Sequence, residues 1–167
     1  KAIKQRFRMK RLIFILLFIP LISFSQYTTF IGDESFPSTE TLELENKQKD
    51  LFVSFIEDNG VIKMLLQTEH IYGYEKPSFN SKINIYLKSG DVITLNRVTY
   101  RDYVDEMCYA IYPLSETDVQ QITNSDIFSI RYTIDLSYDK LLNRIASNNG
   151  YKVSTILKDF VGRFEKL

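Results

Sequence analysis

The chain has 167 residues, 44% of them hydrophobic and 25% charged, with 21 basic side chains balanced by 21 acidic ones. That apolar content is too high for a disordered chain, and a single cysteine excludes an intramolecular disulfide. A single histidine confines any Ser-His-Asp site to His70 and leaves a zinc site dependent on carboxylates.

Residues 1–11 hold six basic side chains and no acid; Leu12–Phe24 is then apolar except at Pro20 and Ser23. With Ser23 and Ser25 at −3 and −1, residues 1–25 read as a signal peptide whose removal leaves Gln26 as the new N-terminus. The apolar core is shorter than the ~20 residues of an ordinary membrane span, so an uncut anchor is the lesser alternative. Met9 opens a signal of conventional length, which makes residues 1–8 an upstream extension. No cysteine follows the apolar core, so the expected product is periplasmic or secreted and not a lipoprotein. Cleavage leaves 15 basic residues against 21 acidic ones, a net charge of −6. Nucleic acid then becomes a poor partner, and the acidic balance gives no help at an anionic membrane.

Residues 26–40 show no periodicity and read as a flexible N-terminal arm ahead of a single domain, 41–167. Thr41–Glu45 is a weak edge strand with Leu42 and Leu44 alternating. Leu51–Glu57 and Val61–Gln67 form a hairpin at Asn59-Gly60, since both residues tolerate positive φ. A two-residue loop sets Phe55 opposite Met64 and Val53 opposite Leu66. The long connection 68–81 carries His70, Tyr72, Tyr74 and Phe79, a candidate aromatic platform for a sugar ring or a peptide. Ile83–Lys88 and Val92–Asn96 form a second hairpin. A three-residue loop with Gly90 in the left-handed region gathers Ile83, Ile85, Leu87, Ile93 and Leu95 on one face.

Arg97–Glu106 is charged and tyrosine-rich, and Asp102, Asp105 and Glu106 are candidate oxygen ligands for Ca²⁺. Met107–Tyr112 is the next strand. Ser115 and Asp118 form a capping box that starts a short helix over Glu116–Thr123. Ile127–Ile134 alternates strictly, placing Phe128, Ile130, Tyr132 and Ile134 on the buried face of an antiparallel strand. Tyr138–Ser147 reads as a helix with Leu141, Leu142 and Ile145 inward. Lys152–Phe164 reads as a helix with Val153, Ile156, Leu157, Phe160, Val161 and Phe164 in one stripe. The expected fold is α+β: an antiparallel sheet of six or seven strands, with the capped helix before its last strand and C-terminal helices packed on it.

No HExxH, Walker loop, GxSxG, EF-hand loop or CxxC pattern occurs. Cys108, between Met107 and Tyr109 in a strand, reads as a small buried hydrophobe. The basic, Phe/Ile/Leu-rich leader ending Ser23-Phe24-Ser25-Gln26, followed by strands, a capped helix, an alternating strand and a C-terminal helix, resembles small uncharacterised exported proteins of Gram-negative bacteria. That resemblance implies location and carries no active-site motif. The expected function is a non-catalytic binding or interaction domain with no cofactor, directed to a protein, peptide or glycan of the cell envelope. The alternatives are a small carboxylate-dependent, glycosidase-like hydrolase and an apolar-ligand carrier.

Overall fold

The computed structural model of the chain describes residues 27–47, 50–69, 76–136 and 140–164. The leader, residues 1–25, lies outside the described residues. Local turn chemistry builds the first part of the domain. Strands β1 (Tyr27–Ile31) and β2 (Glu34–Ser38) meet at Gly32-Asp33, with Gly32 at φ 61°. The segment read as an aperiodic arm is therefore a hairpin, because Gly-Asp between β-forming residues is itself a turn signal. Strand β3 (Leu42–Leu44) follows, with both leucines buried. Strands β4 (Leu51–Asp58) and β5 (Val61–Glu69) turn at Asn59-Gly60, both at positive φ, and Phe55 faces Met64 while Val53 faces Leu66.

Strand β6 (Ser78–Phe79) is short. Strands β7 (Ile83–Leu87) and β8 (Val92–Leu95) form the bulged hairpin: the Gly90 N–H donates to the Leu87 carbonyl, and Ile83, Ile85, Leu87, Ile93 and Leu95 are buried together. The tyrosine-rich stretch supplies β9 (Tyr100–Val104), which turns into β10 (Met107–Pro113) through Asp105 and Glu106 at φ 49° and 63°. Helix α1 (Glu116–Asn124) carries the reciprocal capping box of Ser115 and Asp118. Strand β11 (Ile127–Leu136) is next.

Two expectations fail here for the same kind of reason. Ile127 pairs with Leu87 and Ser129 with Tyr86, so Phe128 is the extra residue of a bulge. A bulge reverses the parity of one strand segment, so Ile127 is buried and Phe128 is 58% exposed. The residues expected to form a helix at 138–147 instead form strand β12 (Lys140–Ser147), paired along its length with β11. Leu141, Leu142 and Ile145 suit one helical face. Without β12, however, the edge of β11 would be left unpaired, and ladder hydrogen bonds outweigh that pattern. Helix α2 (Val153–Val161) then buries Val153, Leu157 and Phe160.

The described residues are thus mostly antiparallel strand, twelve in number, with two helices. One sheet has seven strands, ordered β1-β2-β4-β5-β10-β9, with β3 also on β4; the other has five, ordered β12-β11-β7-β8, with β6 also on β11. A sheet of six or seven strands is matched by the first alone. The inner faces of both sheets and the buried stripes of α1 and α2 share one core. A smaller cluster of Ile56, Leu65 and Ile111 lies on the outer face of the larger sheet, packed against Ile31 and Phe36 of the β1–β2 hairpin.

One carboxylate pins α2 to this frame. Asp126, between α1 and β11, accepts from the Ser154 N–H at 3.0 Å and the Ser154 hydroxyl at 2.6 Å, at the first turn of α2. Burial works against its charge, but Ser154 and the Lys88 ammonium outweigh that and hold the carboxyl below its ordinary value of 3.8. Asp126→Ala should cost about 1 kcal/mol, the usual worth of an N-terminal cap. Because the folded pKa is depressed, this contribution is present above about pH 4 and fades as pH falls through the folded value. Urea melts between pH 3 and 7 should show a shallower acid limb in the variant. Ile130→Asp, on the inner face, should cost several kcal/mol, whereas Phe128→Ser should stay within about 0.5 kcal/mol. Equal losses of thermal midpoint would contradict the bulge.

Candidate functional site

Of the aromatic platform, only Phe79 is among the described residues; His70, Tyr72 and Tyr74 lie outside them. Phe79 is fully buried, with its ring 5.6 Å from that of Tyr132, so it is a core residue and not a ligand contact. Pairing of Ser78-Phe79 with β11 turns the ring inward. The proposed Ca²⁺ ligands also disperse. Asp102 accepts the Tyr100 hydroxyl at 2.6 Å and the Tyr103 N–H at 2.8 Å, which hold its carboxyl below the usual range. Asp105 and Glu106 occupy the tight turn beyond it. Among the described residues, no group of three or more His, Cys, Asp or Glu side chains is placed to hold a metal ion. Cys108 is buried, donates to the Pro77 carbonyl at 3.2 Å, and has its thiol pushed up by burial to about 11, which removes it as a nucleophile.

A groove of about 620 Å³ runs along β12, bounded by Glu45, Asn46 and Lys47. Four consecutive residues of β12, Leu142 to Ile145, line it together with Arg131 of β11, so the groove follows the strand's edge and laps onto its outer face. The direction of that edge follows from one contact. Ser147 and Glu45 exchange N–H···O bonds of 2.8 and 2.9 Å, so the backbone groups of Ser147 point away from β11. Alternation along the ladder makes Leu141, Asn143 and Ile145 point the same way. The Ile145 carbonyl accordingly accepts from Asn46 Nδ2 at 2.9 Å. The remaining outward groups of Asn143 and Ile145 face the groove, and those of Leu141 continue the same edge beyond it. Their side chains stand on the outer face, Leu141 at 63% and Ile145 at 55% exposure.

The inward side chain of this strand is equally unusual. Arg144, paired across the ladder with Tyr132, is 8% exposed, and its Nε and Nη1 atoms have no hydrogen-bond partner among the described residues. The Tyr132 hydroxyl beside it is buried, within reach of the Thr68 and Arg144 side chains. Burial raises the tyrosine's pKa, against the pull of the Arg144 charge. A buried guanidinium so poorly matched costs stability.

A second groove, of about 560 Å³, is bordered by the β4–β5 turn and both helices, with Ile62, Leu114, Val119, Val161 and Phe164 in its lining. The cavity beneath the β1–β2 hairpin, lined by Phe30, Leu65, Tyr100 and Tyr109, holds about 140 Å³, below the roughly 300 Å³ at which small-molecule pockets begin. A carboxylate pair does form at the β3–β4 connection. Glu43 leans on Asp50, whose hydrogen bond raises the Glu43 pKa, with burial and repulsion from Asp50 and Glu45 adding to it. Carboxyls in hydrogen-bonding contact lack the ~5 to 9.5 Å gap that a glycosidic linkage requires. The sequence pointed to none of Glu43, Asp50, Asn143 or Arg144. No protein-family model, curated protein or solved structure matches the chain.

Arg144→Met keeps the stem's volume and removes the unmatched charge. The variant should gain stability, by about 1–4 kcal/mol, as other buried ions replaced by packed apolar groups do. A denaturation curve shifted to lower urea would instead mean that the guanidinium finds an acceptor in solution.

Proposed function

We propose that this protein is an exported, non-catalytic interaction domain that receives an extended polypeptide strand against the open edge of β12. The observation that carries the reading is the run of outward-directed backbone groups from Leu141 to Ile145 along a groove wide enough for another chain. Strand addition supplies affinity through main-chain hydrogen bonds, and alternate side chains supply selectivity. Leu141 and Ile145 are the apolar positions that would meet the incoming strand. Export rests on the basic, apolar and Ser-X-Ser pattern of residues 1–25. In fold terms this is an α+β domain in which the sheets do the binding and the helices close the core.

A carboxylate-dependent hydrolase is the less favoured reading. Its best acid pair, Glu43 with Asp50, is in mutual contact, and Asp50 Oδ1 already accepts the Asn46 N–H at 3.0 Å.

The test is a photo-crosslinking residue placed at Asn143 in cells that export the chain, with the same residue at exposed Glu116 as control. Intact mass should show a chain beginning at Gln26, and irradiation should give adducts from position 143 and not from 116. An exported chain that forms no adduct at 143 would sink the proposal.

A further inference from the structure

We infer that the strand received by β12 is the β12 of a second copy of this chain, paired antiparallel about a two-fold axis through Asn143. This rests on the strand-addition reading above and names its partner.

Register provides the first argument. Two antiparallel β12 strands can exchange backbone hydrogen bonds only where outward-pointing residues face each other, namely positions 141, 143 and 145. Only the register centred on Asn143 uses all three, setting Asn143 opposite Asn143 and Leu141 opposite Ile145 twice. The bond from Asn46 to the Ile145 carbonyl can persist, because a carbonyl oxygen has two lone pairs. Beyond Ile145 the edge is closed by the Glu45–Ser147 bridge, which confines the contact to this segment.

Side chains provide the second. In this register the two exposed apolar residues of β12 cover each other on both sides of the axis, as in favourable cross-strand pairs. Asn143 sits on the axis, where a charge would meet its own image. Its Oδ1 accepts the Thr133 hydroxyl at 2.8 Å, which orients the amide and leaves its N–H donors for the second copy. On the outer face, Arg131 neighbours Ile145 and Asp135 neighbours Leu141 on β11. The two outer cross-copy rows therefore each end in one cation and one anion, and the central row ends in Thr133 on both sides. An unrelated peptide would match this pattern only by coincidence, whereas a second copy matches it by symmetry.

Edge protection provides the third. Natural sheets blunt open edges with proline, bulges or charge. Strand β12 has no proline, pairs with β11 without a register shift, and carries no charge among its outer side chains 141, 143 and 145; its one inward charge, Arg144, is buried within its own copy. Of the other edge strands, β8 has only four residues, β9 carries Arg101 and Asp102, and β1 is uncharged but has only five residues.

The test uses sedimentation equilibrium on the chain purified from exporting cells, with two double variants. L141E/I145E places Glu against Glu across the axis, whereas L141E/I145K places Glu against Lys. Both positions are exposed in one copy, so folding, checked by circular dichroism, should be unchanged. The native chain should show a concentration-dependent dimer, L141E/I145E should weaken it at least tenfold, and L141E/I145K should restore it. A native chain that stays monomeric at millimolar concentration overturns the inference, as does equal dimerisation of the two variants. Crosslinked adducts at position 143 whose mass is not twice that of the chain also overturn it, while leaving the strand-addition reading intact.

Discussion

Two hydrogen bonds between Glu45 and Ser147 join the edge of one sheet to the edge of the other, and the arrangement of the domain depends on them. Strand β3 runs along β4 and the next residue, Glu45, bridges to β12, so the larger sheet curls toward the smaller at this corner. That contact directs the backbone of Ser147 outward, and ladder alternation carries the same direction back to Leu141. A chain that closed this seam further would have protected β12. Instead Asn46 makes one side-chain bond to the Ile145 carbonyl, and Asn46 and Lys47 border a groove. Closure at one residue and openness over the next five have a single cause.

The opposite side of the core is stitched by different chemistry. The segment 77–80 pairs with β11 through Ser78 and Phe79, while its carbonyls accept from β10: Pro77 from the Cys108 thiol at 3.2 Å, and Asn80 from the Tyr112 hydroxyl at 2.6 Å. Tyr112 and Phe79 are both fully buried, so these polar contacts sit within apolar packing and are costly to break. Asn80 also donates through its side chain to Asp135 at 3.0 Å, which fixes the far end of β11. A segment of four residues thus carries backbone, thiol and phenol contacts to both sheets. Its composition, Pro-Ser-Phe-Asn, resembles an exposed loop, and that is why Phe79 read as a binding residue.

What could be read in advance was whatever local chemistry decides. Asn59-Gly60 sets the β4–β5 register because both residues must reach positive φ, and the Ser115–Asp118 box starts α1 wherever the rest of the chain lies. Gly90 likewise picks the bulged register of β7–β8. Gly32-Asp33 carries the same kind of signal, in a segment whose lack of periodicity reads as an arm. The failures belong to tertiary pairing. Nothing local announces the extra residue at Phe128, and Asp105 and Glu106 adopt positive φ without the Asn or Gly that would have marked the turn. In the candidate site, an inward arginine hid the alternation of β12: Leu142, Arg144 and Ala146 face in, but only two of them look like core.

That inward arginine and the open edge belong to one strand, and together they explain why β12 is marginal as a sequence. Its outer face is more apolar than an exposed face needs to be, with Leu141 and Ile145, and its inner face carries a charge that burial penalises. A strand optimised for the isolated domain would exchange the two, placing the hydrophobes inside and the arginine outside. Departures of this sort, each costing stability without local return, are expected where a surface serves an encounter and not only the fold. The departure is also consistent along the strand. Backbone direction and side-chain exposure both point outward from Leu141 to Ile145, and Asn143 lies at the centre of that span.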